Sequence, residues 1–129
     1  MIDACHGASV RAGWWHHAPT GRCLSDVIAA PCTDEEKLLA GALYGQKLAL
    51  VHSELSESLE GHRKGLMDEH LPHRKSAEVE LADAMIRILD LAGAMQFDLG
   101  AAVAEKLAYN AQRADHKPDA RAAAGGKAY

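Results

Sequence analysis

Four carboxylates are spaced so that together they could hold a metal ion. Glu54 and Glu57 are three residues apart in one predicted helix, and Glu80 and Asp83 have the same spacing in the next. Residues at this spacing project from one helix face, one turn apart. If the two helices run antiparallel, the pairs converge, and four like charges then require protons, water or a bound cation. Oxygen ligands without sulfur or imidazole partners favour Mg²⁺, with Mn²⁺ as a second possibility, over zinc.

The second acidic pair carries more weight than the first, because its helix is otherwise apolar. The polar residues of that helix form a single stripe, namely Glu80, Asp83, Arg87 and Asp90. A helix that is apolar over most of its circumference is normally buried, so we expect this stripe to be buried or to face a cleft. Di-iron bundle proteins use a Glu-x-x-His pair, and no Glu of this chain has a His three residues later. An acidic pair on a solvated helix face is the structural alternative.

A complementary stripe of Lys106, Asn110 and Arg113 follows in a third predicted helix, at steps of four and three. A cation, an amide and a guanidinium in a row suit an anionic ligand such as a phosphorylated nucleotide. A solvated helix face is again the alternative. Trp14 and Trp15 could stack on a base or could instead fill the core of a chain with a single Phe.

The elements that must position these residues are helices. Thr33 is a good N-cap, and Glu36 completes a capping-box pattern with it. Asp98 caps the last helix. The predicted helices run at about residues 34–63, 76–96 and 99–113, and Gly65 ends the first of them.

The whole chain, 1–129, is predicted to be one all-α domain. Two long antiparallel helices form its centre, the third packs across them, and self-association completes the core. Residues 1–33 are predicted to form a short helix or turn up to about Trp15 and then an irregular connection. The tail, 115–129, is predicted to be loosely held.

Composition excludes several classes of function. The 129 residues carry a net charge of −4, which argues against a protein that binds nucleic-acid polymers through bulk positive charge. The sequence has no secretory signal pattern and no apolar run long enough to cross a membrane. Its three cysteines, Cys5, Cys23 and Cys32, have no metal-site spacing. We therefore expect a cytoplasmic protein without a membrane partner.

The order of these motifs resembles that of the MazG-type nucleoside triphosphate pyrophosphohydrolases, the all-α NTP pyrophosphatase family. The similar stretches are KLALVHSELSESLEGHRKG (47–65), EVELADAMIRILDLAG (78–93) and KLAYNAQR (106–113), so the resemblance covers roughly Lys47 to Lys117. The Gly13-Trp14-Trp15 segment is similar to a Gly-Trp element of some relatives. Where some relatives have an aromatic residue one turn after the motif's Asp, this chain has Arg87, so base contacts cannot be transferred to that position.

The resemblance implies that Glu54, Glu57, Glu80 and Asp83 bind Mg²⁺ and that Lys106 and Asn110 contact the nucleotide. It also implies cleavage between the α- and β-phosphates by a homodimer or homotetramer. From the residues themselves, Glu54 or Glu57 is the candidate general base, and Arg113 is a further phosphate contact.

Three functions are compatible with these observations. The first is Mg²⁺-dependent nucleoside triphosphate pyrophosphohydrolysis that removes non-standard or surplus (deoxy)nucleotides. The second is a non-catalytic helical interaction protein whose acidic stripe is a packing surface. The third is a metal-dependent phosphohydrolase that acts on another phosphorylated metabolite.

Overall fold

The chain is helical in a computed structural model that describes residues 1–113 together with Lys117 and Ala122. These residues form five helices and one short hairpin: α1 (Ile2–Arg11), β1 (His16–His17), β2 (Arg22–Cys23), α2 (Leu24–Ala29), α3 (Asp34–Lys64), α4 (Ser76–Ala94) and α5 (Leu99–Gln112). The predicted all-α class is confirmed. Among the described residues, none of the helices combines the length and the hydrophobicity that a membrane-spanning segment requires.

The chain divides into two compact units, Met1–Phe97 and Asp98–Tyr129. The first contains α1 to α4 and the hairpin, and the second contains α5, whose N-cap Asp98 accepts a hydrogen bond from the Ala101 amide at 2.9 Å. The expected packing of the third predicted helix across the other two stays a prediction. The predicted loose tail, 115–129, lies outside the described residues except for Lys117 and Ala122.

Helix α3 begins and ends as its sequence predicts. The Thr33 hydroxyl accepts a hydrogen bond from the Glu36 amide at 3.1 Å, and the Glu36 carboxylate completes the capping box. Gly65 ends the helix with φ of 64°, a left-handed conformation that glycine adopts without a Cβ penalty.

Helices α3 and α4 form an antiparallel pair. Ser58 Oγ donates to the Ala77 carbonyl, and Glu54 and Lys47 form ion pairs with Arg87 and Asp90 respectively. In these three pairs the residue number on α3 falls as the residue number on α4 rises, so the two helices run in opposite directions. The two backbones approach closely at Gly61, where a Cβ would lie 2.6 Å from Ser76 Oγ.

The polar stripe of α4 faces the interior of the protein, as predicted, whereas the apolar residues on the outer face of the helix are exposed. Asp90 is buried, and Glu80, Asp83 and Arg87 are partly buried, whereas Leu81, Met85 and Ile88 are exposed. Within the part of the chain that the structure describes, this apolar face is uncovered, and its burial by self-association stays a prediction. Helix α4 packs on α3 and α1 through its polar stripe and through small or buried residues nearer its C-terminus.

The first 33 residues are more regular than predicted. Helix α1 ends at Arg11, Gly13 turns the chain with φ of 84°, and the hairpin and α2 replace the expected irregular connection. This segment is ordered by packing, because Trp15 and Ile28 join the core formed by α3 and α4. Helix α1 meets α4 at Gly93, where a Cβ would lie 2.5 Å from the His6 Cβ.

Candidate metal site and adjoining cavity

Three of the four predicted carboxylates come together between α3 and α4. One carboxylate oxygen each from Glu54, Glu57 and Glu80 lies within 4.8 Å of the other two. Glu54 is buried, with 6% of its surface exposed, whereas Glu57 is exposed and Glu80 is intermediate. We call these three residues the carboxylate triad. Asp83, the fourth predicted ligand, lies one turn beyond Glu80 and is not part of the triad.

A guanidinium group holds the buried member of the triad. Arg87 donates to Glu54 Oε1 from Nε at 2.7 Å and from Nη2 at 2.6 Å. Charge-assisted hydrogen bonds of this kind are about twice as strong as neutral ones. Arg87 therefore fixes Glu54 and supplies one positive charge beside three carboxylates.

The triad keeps more negative charge than Arg87 neutralises. Burial, a hydrogen bond with Glu54 and the charges of Glu57, Glu54 and Asp83 raise the pKa of Glu80 to about 7. Burial and the Glu54 charge also raise the pKa of Asp83, and the nearby Asp68 carboxylate adds to the rise. Near neutral pH the triad therefore holds a proton or requires a further cation.

The donor set fits a hard divalent cation. Carboxylate oxygens from two facing helices are ligands that Mg²⁺ and Mn²⁺ accept, and an exposed Glu57 leaves the site open to water and to a ligand. Glu54, Glu57 and Glu80 would hold such an ion.

A cavity of about 370 Å³ lies next to the triad and is walled by α1, α3 and α4. Asp83 and Arg87 line the cavity near the triad. Asp90 lines it seven residues after Asp83 on α4, and Lys47 lines it on α3, seven residues before Glu54. Seven helical residues span about 10 Å. The cavity is thus large enough for part of a small-molecule ligand whose other end reaches the triad.

A buried network that the sequence prediction missed joins the cavity walls. Asp90 accepts hydrogen bonds from His6 Nδ1 (2.8 Å), Ser9 Oγ (2.9 Å), Trp15 Nε1 (2.8 Å) and Lys47 Nζ (3.2 Å). Burial alone would raise the pKa of Asp90, but these hydrogen bonds and the Lys47 charge outweigh it and lower the pKa below its usual value. The position of Asp90 on the polar stripe was the available signal, but its donors come from distant segments.

The two neighbouring tryptophans have different environments. Trp15 is 1% exposed in the core, its indole N–H is bonded to Asp90, and Lys47 Nζ lies 3.8 Å from its ring centroid. Trp14 is 75% exposed and lines the cavity. The expectation that Trp15 could stack on a base is corrected, because protein atoms cover its ring. Trp14 keeps that role as a prediction.

The predicted basic stripe lies in the other unit. Lys106 and Asn110 are on α5, and Arg113 follows its last turn. Lys106 Nζ lies 4.7 Å from the Tyr109 ring centroid. The contact of these three residues with a nucleotide stays a prediction.

The raised pKa of Glu80 predicts opposite effects of pH with and without Mg²⁺. The folded protein binds the proton of Glu80 more tightly than the unfolded chain, whose carboxyl titrates near 4.5. Without metal, the free energy of unfolding should therefore fall as pH rises from about 4.5 to about 7 and then level off. Mg²⁺ affinity should rise over the same range, by up to about tenfold per pH unit, because the ion displaces that proton.

Thermal melting in EDTA and Mg²⁺ titration calorimetry at several pH values would measure both effects. Glu80→Gln removes the titrating group and is the control, since it should flatten the melting profile between those pH values. A metal-free stability that rises through this range would contradict the assignment of a shared proton to the triad.

No family model, curated protein or solved structure matches the chain.

Proposed function

We propose that this protein is a Mg²⁺-dependent nucleoside triphosphate pyrophosphohydrolase of the MazG type that acts on non-standard or surplus (deoxy)nucleotides. The observation that carries the proposal is the carboxylate triad beside a cavity with an exposed tryptophan at its wall. Arg87 links the two, because it contacts Glu54 and lines the cavity. The order and spacing of the sequence motifs support the same activity.

The side chains of this site have distinct roles in the proposed reaction. Mg²⁺ bound by Glu54, Glu57 and Glu80 would neutralise charge on the phosphate oxygens and acidify a water molecule. Glu54 is engaged by Arg87 and Glu80, whereas Glu57 is exposed. Glu57 is therefore better placed than Glu54 to accept a proton from the attacking water. Attack at the α-phosphorus would release pyrophosphate and a nucleoside monophosphate.

Pyrophosphate release from a panel of ribo- and deoxynucleoside triphosphates, with and without Mg²⁺, tests the proposal. A phosphohydrolase for another metabolite would instead release orthophosphate or leave the triphosphates intact. Absence of Mg²⁺-dependent pyrophosphate release across the panel would contradict the proposed activity.

The exposed apolar face of α4 favours one alternative, a non-catalytic helical interaction protein. Leu81, Met85 and Ile88 follow helical spacing and form an apolar surface of the kind that marks contact sites. The same face could serve the homodimer or homotetramer expected of an enzyme. An interaction protein should not be stabilised by millimolar Mg²⁺, so a melting series with Mg²⁺ separates the two functions.

Trp14 is expected to bind the base by stacking. Base stacking on an aromatic ring contributes about 1–3 kcal/mol, so Trp14→Ala should raise the KM for a nucleoside triphosphate about tenfold. Trp14→Phe keeps an aromatic face and should recover most of the loss. Inorganic triphosphate has no base, and its binding should change little. Equal KM values for wild type and Trp14→Ala would place the base elsewhere.

Lys106 is expected to contact the polyphosphate. Lys106→Ala should weaken the binding of a nucleoside triphosphate more than that of the monophosphate, because the triphosphate carries more negative charge for the ammonium group to pair with. Calorimetry with both nucleotides measures the difference. Glu105→Gln, which alters the neighbouring charge on α5, is the control. Equal weakening for both nucleotides would remove Lys106 from the proposed site.

A further inference from the structure

Arg87 has donor capacity beyond its ion pair. Nε and Nη2 both donate to one oxygen of Glu54, and the Arg87 side chain, which is 40% exposed, also lines the cavity. A guanidinium group has five N–H donors in a planar fork that matches carboxylate or phosphate oxygens. Arg87 thus faces both a carboxylate of the triad and the space where a ligand would lie.

Lys47 is a second positively charged residue that lines the cavity, and it already has binding partners. Lys47 has a side chain that is only 12% exposed, and its ammonium group donates to Asp90 and lies over the Trp15 ring. Moving Lys47 toward a ligand would leave Asp90 without its counter-charge, which is costly for a buried carboxylate. Arg87 can turn toward the cavity at lower cost, because its side chain is partly exposed.

The charge of Glu54 decides how firmly Arg87 is held. A divalent cation on the triad would share the negative charge of Glu54 and weaken its attraction for the guanidinium. The phosphate groups of a bound nucleotide would then offer Arg87 a more highly charged partner of suitable geometry. Without the cation, Glu54 competes with the phosphate for the same donors.

We propose that Arg87 is a phosphate-binding residue that Glu54 restrains until a divalent cation occupies the triad. The proposal rests on the proposed function, because it takes the triad to be the cation site and the cavity to hold a triphosphate. Because of this restraint, the chain binds its anionic substrate weakly when the triad holds no metal ion and more tightly when a metal ion is bound.

The test uses bis(methylene)triphosphonate, a non-hydrolysable triphosphate, and calorimetry on the full chain. In EDTA, Glu54→Gln should raise affinity for this probe about tenfold or more, since it replaces the charge-assisted bonds to Arg87. Glu57→Gln removes the same charge from the triad without a bond to Arg87, and it should raise affinity only about twofold. Adding Arg87→Met to Glu54→Gln should cancel the gain.

A second arm examines Arg87 alone. Arg87→Met should lower affinity for the probe only about twofold in EDTA, through the lost charge, and about tenfold in saturating Mg²⁺. Circular dichroism and melting curves confirm that each variant is folded, and Arg87→Gln, which also removes the positive charge, replaces Arg87→Met if the latter is not. A purely structural ion pair would instead give equal probe affinity for Glu54→Gln and Glu57→Gln and no metal-dependent effect of Arg87, which would overturn the proposal. Because no arm depends on turnover, this failure is distinct from the absence of pyrophosphate release.

Discussion

Replacing Glu57 by Gln should lower Mg²⁺-dependent turnover about 100-fold or more while the protein stays folded. Substitution of residues that only contact the metal ligands already lowers metal affinity or activity about 10- to 100-fold. Glu57 would itself be a direct ligand and the proton acceptor, so its replacement should have a larger effect. The side chain is exposed, so the change leaves no buried group without a partner. Steady-state assays of pyrophosphate release measure the loss.

The same substitution should increase the stability of the metal-free protein. The charge of Glu57 contributes to the raised pKa of Glu80, so its removal relieves repulsion within the triad. Glu60→Gln is the matched control, because Glu60 lies on the same helix and pairs with Arg63 and Lys64 outside the triad. Undiminished turnover in Glu57→Gln, or an equal loss in Glu60→Gln, would remove Glu57 from the site.

Replacing Asp90 by Asn should lower the free energy of unfolding by about 3 kcal/mol, because it breaks a buried ion pair on one side. Lys47 would keep its charge without a buried counter-charge, and one amide oxygen cannot accept all four hydrogen bonds that the carboxylate accepts. Urea denaturation followed by circular dichroism gives the change in the free energy of unfolding.

Asp26→Asn is the control for this second prediction. Asp26 is an exposed acid in the first turn of α2, so its replacement should cost well under about 1 kcal/mol. If Asp90→Asn were no less stable than Asp26→Asn, the Asp90 network would contribute little to the attachment of α1.

The main helices could be predicted because their signals are local. Thr33, Glu36 and Gly65 determine the ends of α3 through groups within four residues, and the spacing of Glu54 and Glu57 determines a shared helix face. The convergence of Glu54 with Glu80 required one further assumption, an antiparallel pair. The eleven-residue connection between α3 and α4 permits that arrangement and does not determine it.

The rest of the site depends on contacts between distant segments. Asp90 is bonded to His6, 84 residues away, and no periodicity within either segment indicates that contact. Trp14 and Trp15 are adjacent in sequence, yet Trp15 packs in the core and Trp14 is exposed. The partner of the exposed outer face of α4 could not be predicted either, because hydrophobic patterning records which faces are apolar and does not record what covers them.

The Asp90 network also bears on the order of folding. Glu54 and Arg87 are 33 residues apart, whereas Ser9 and His6 reach Asp90 across 81 and 84 residues. Closing a longer loop costs more chain entropy, and contacts close in sequence form sooner. We therefore expect the α3–α4 pair to assemble first and α1 to dock onto it later. The carboxylate triad would then precede the cavity, and partial unfolding that begins with release of α1 would open the cavity wall while the triad stays assembled.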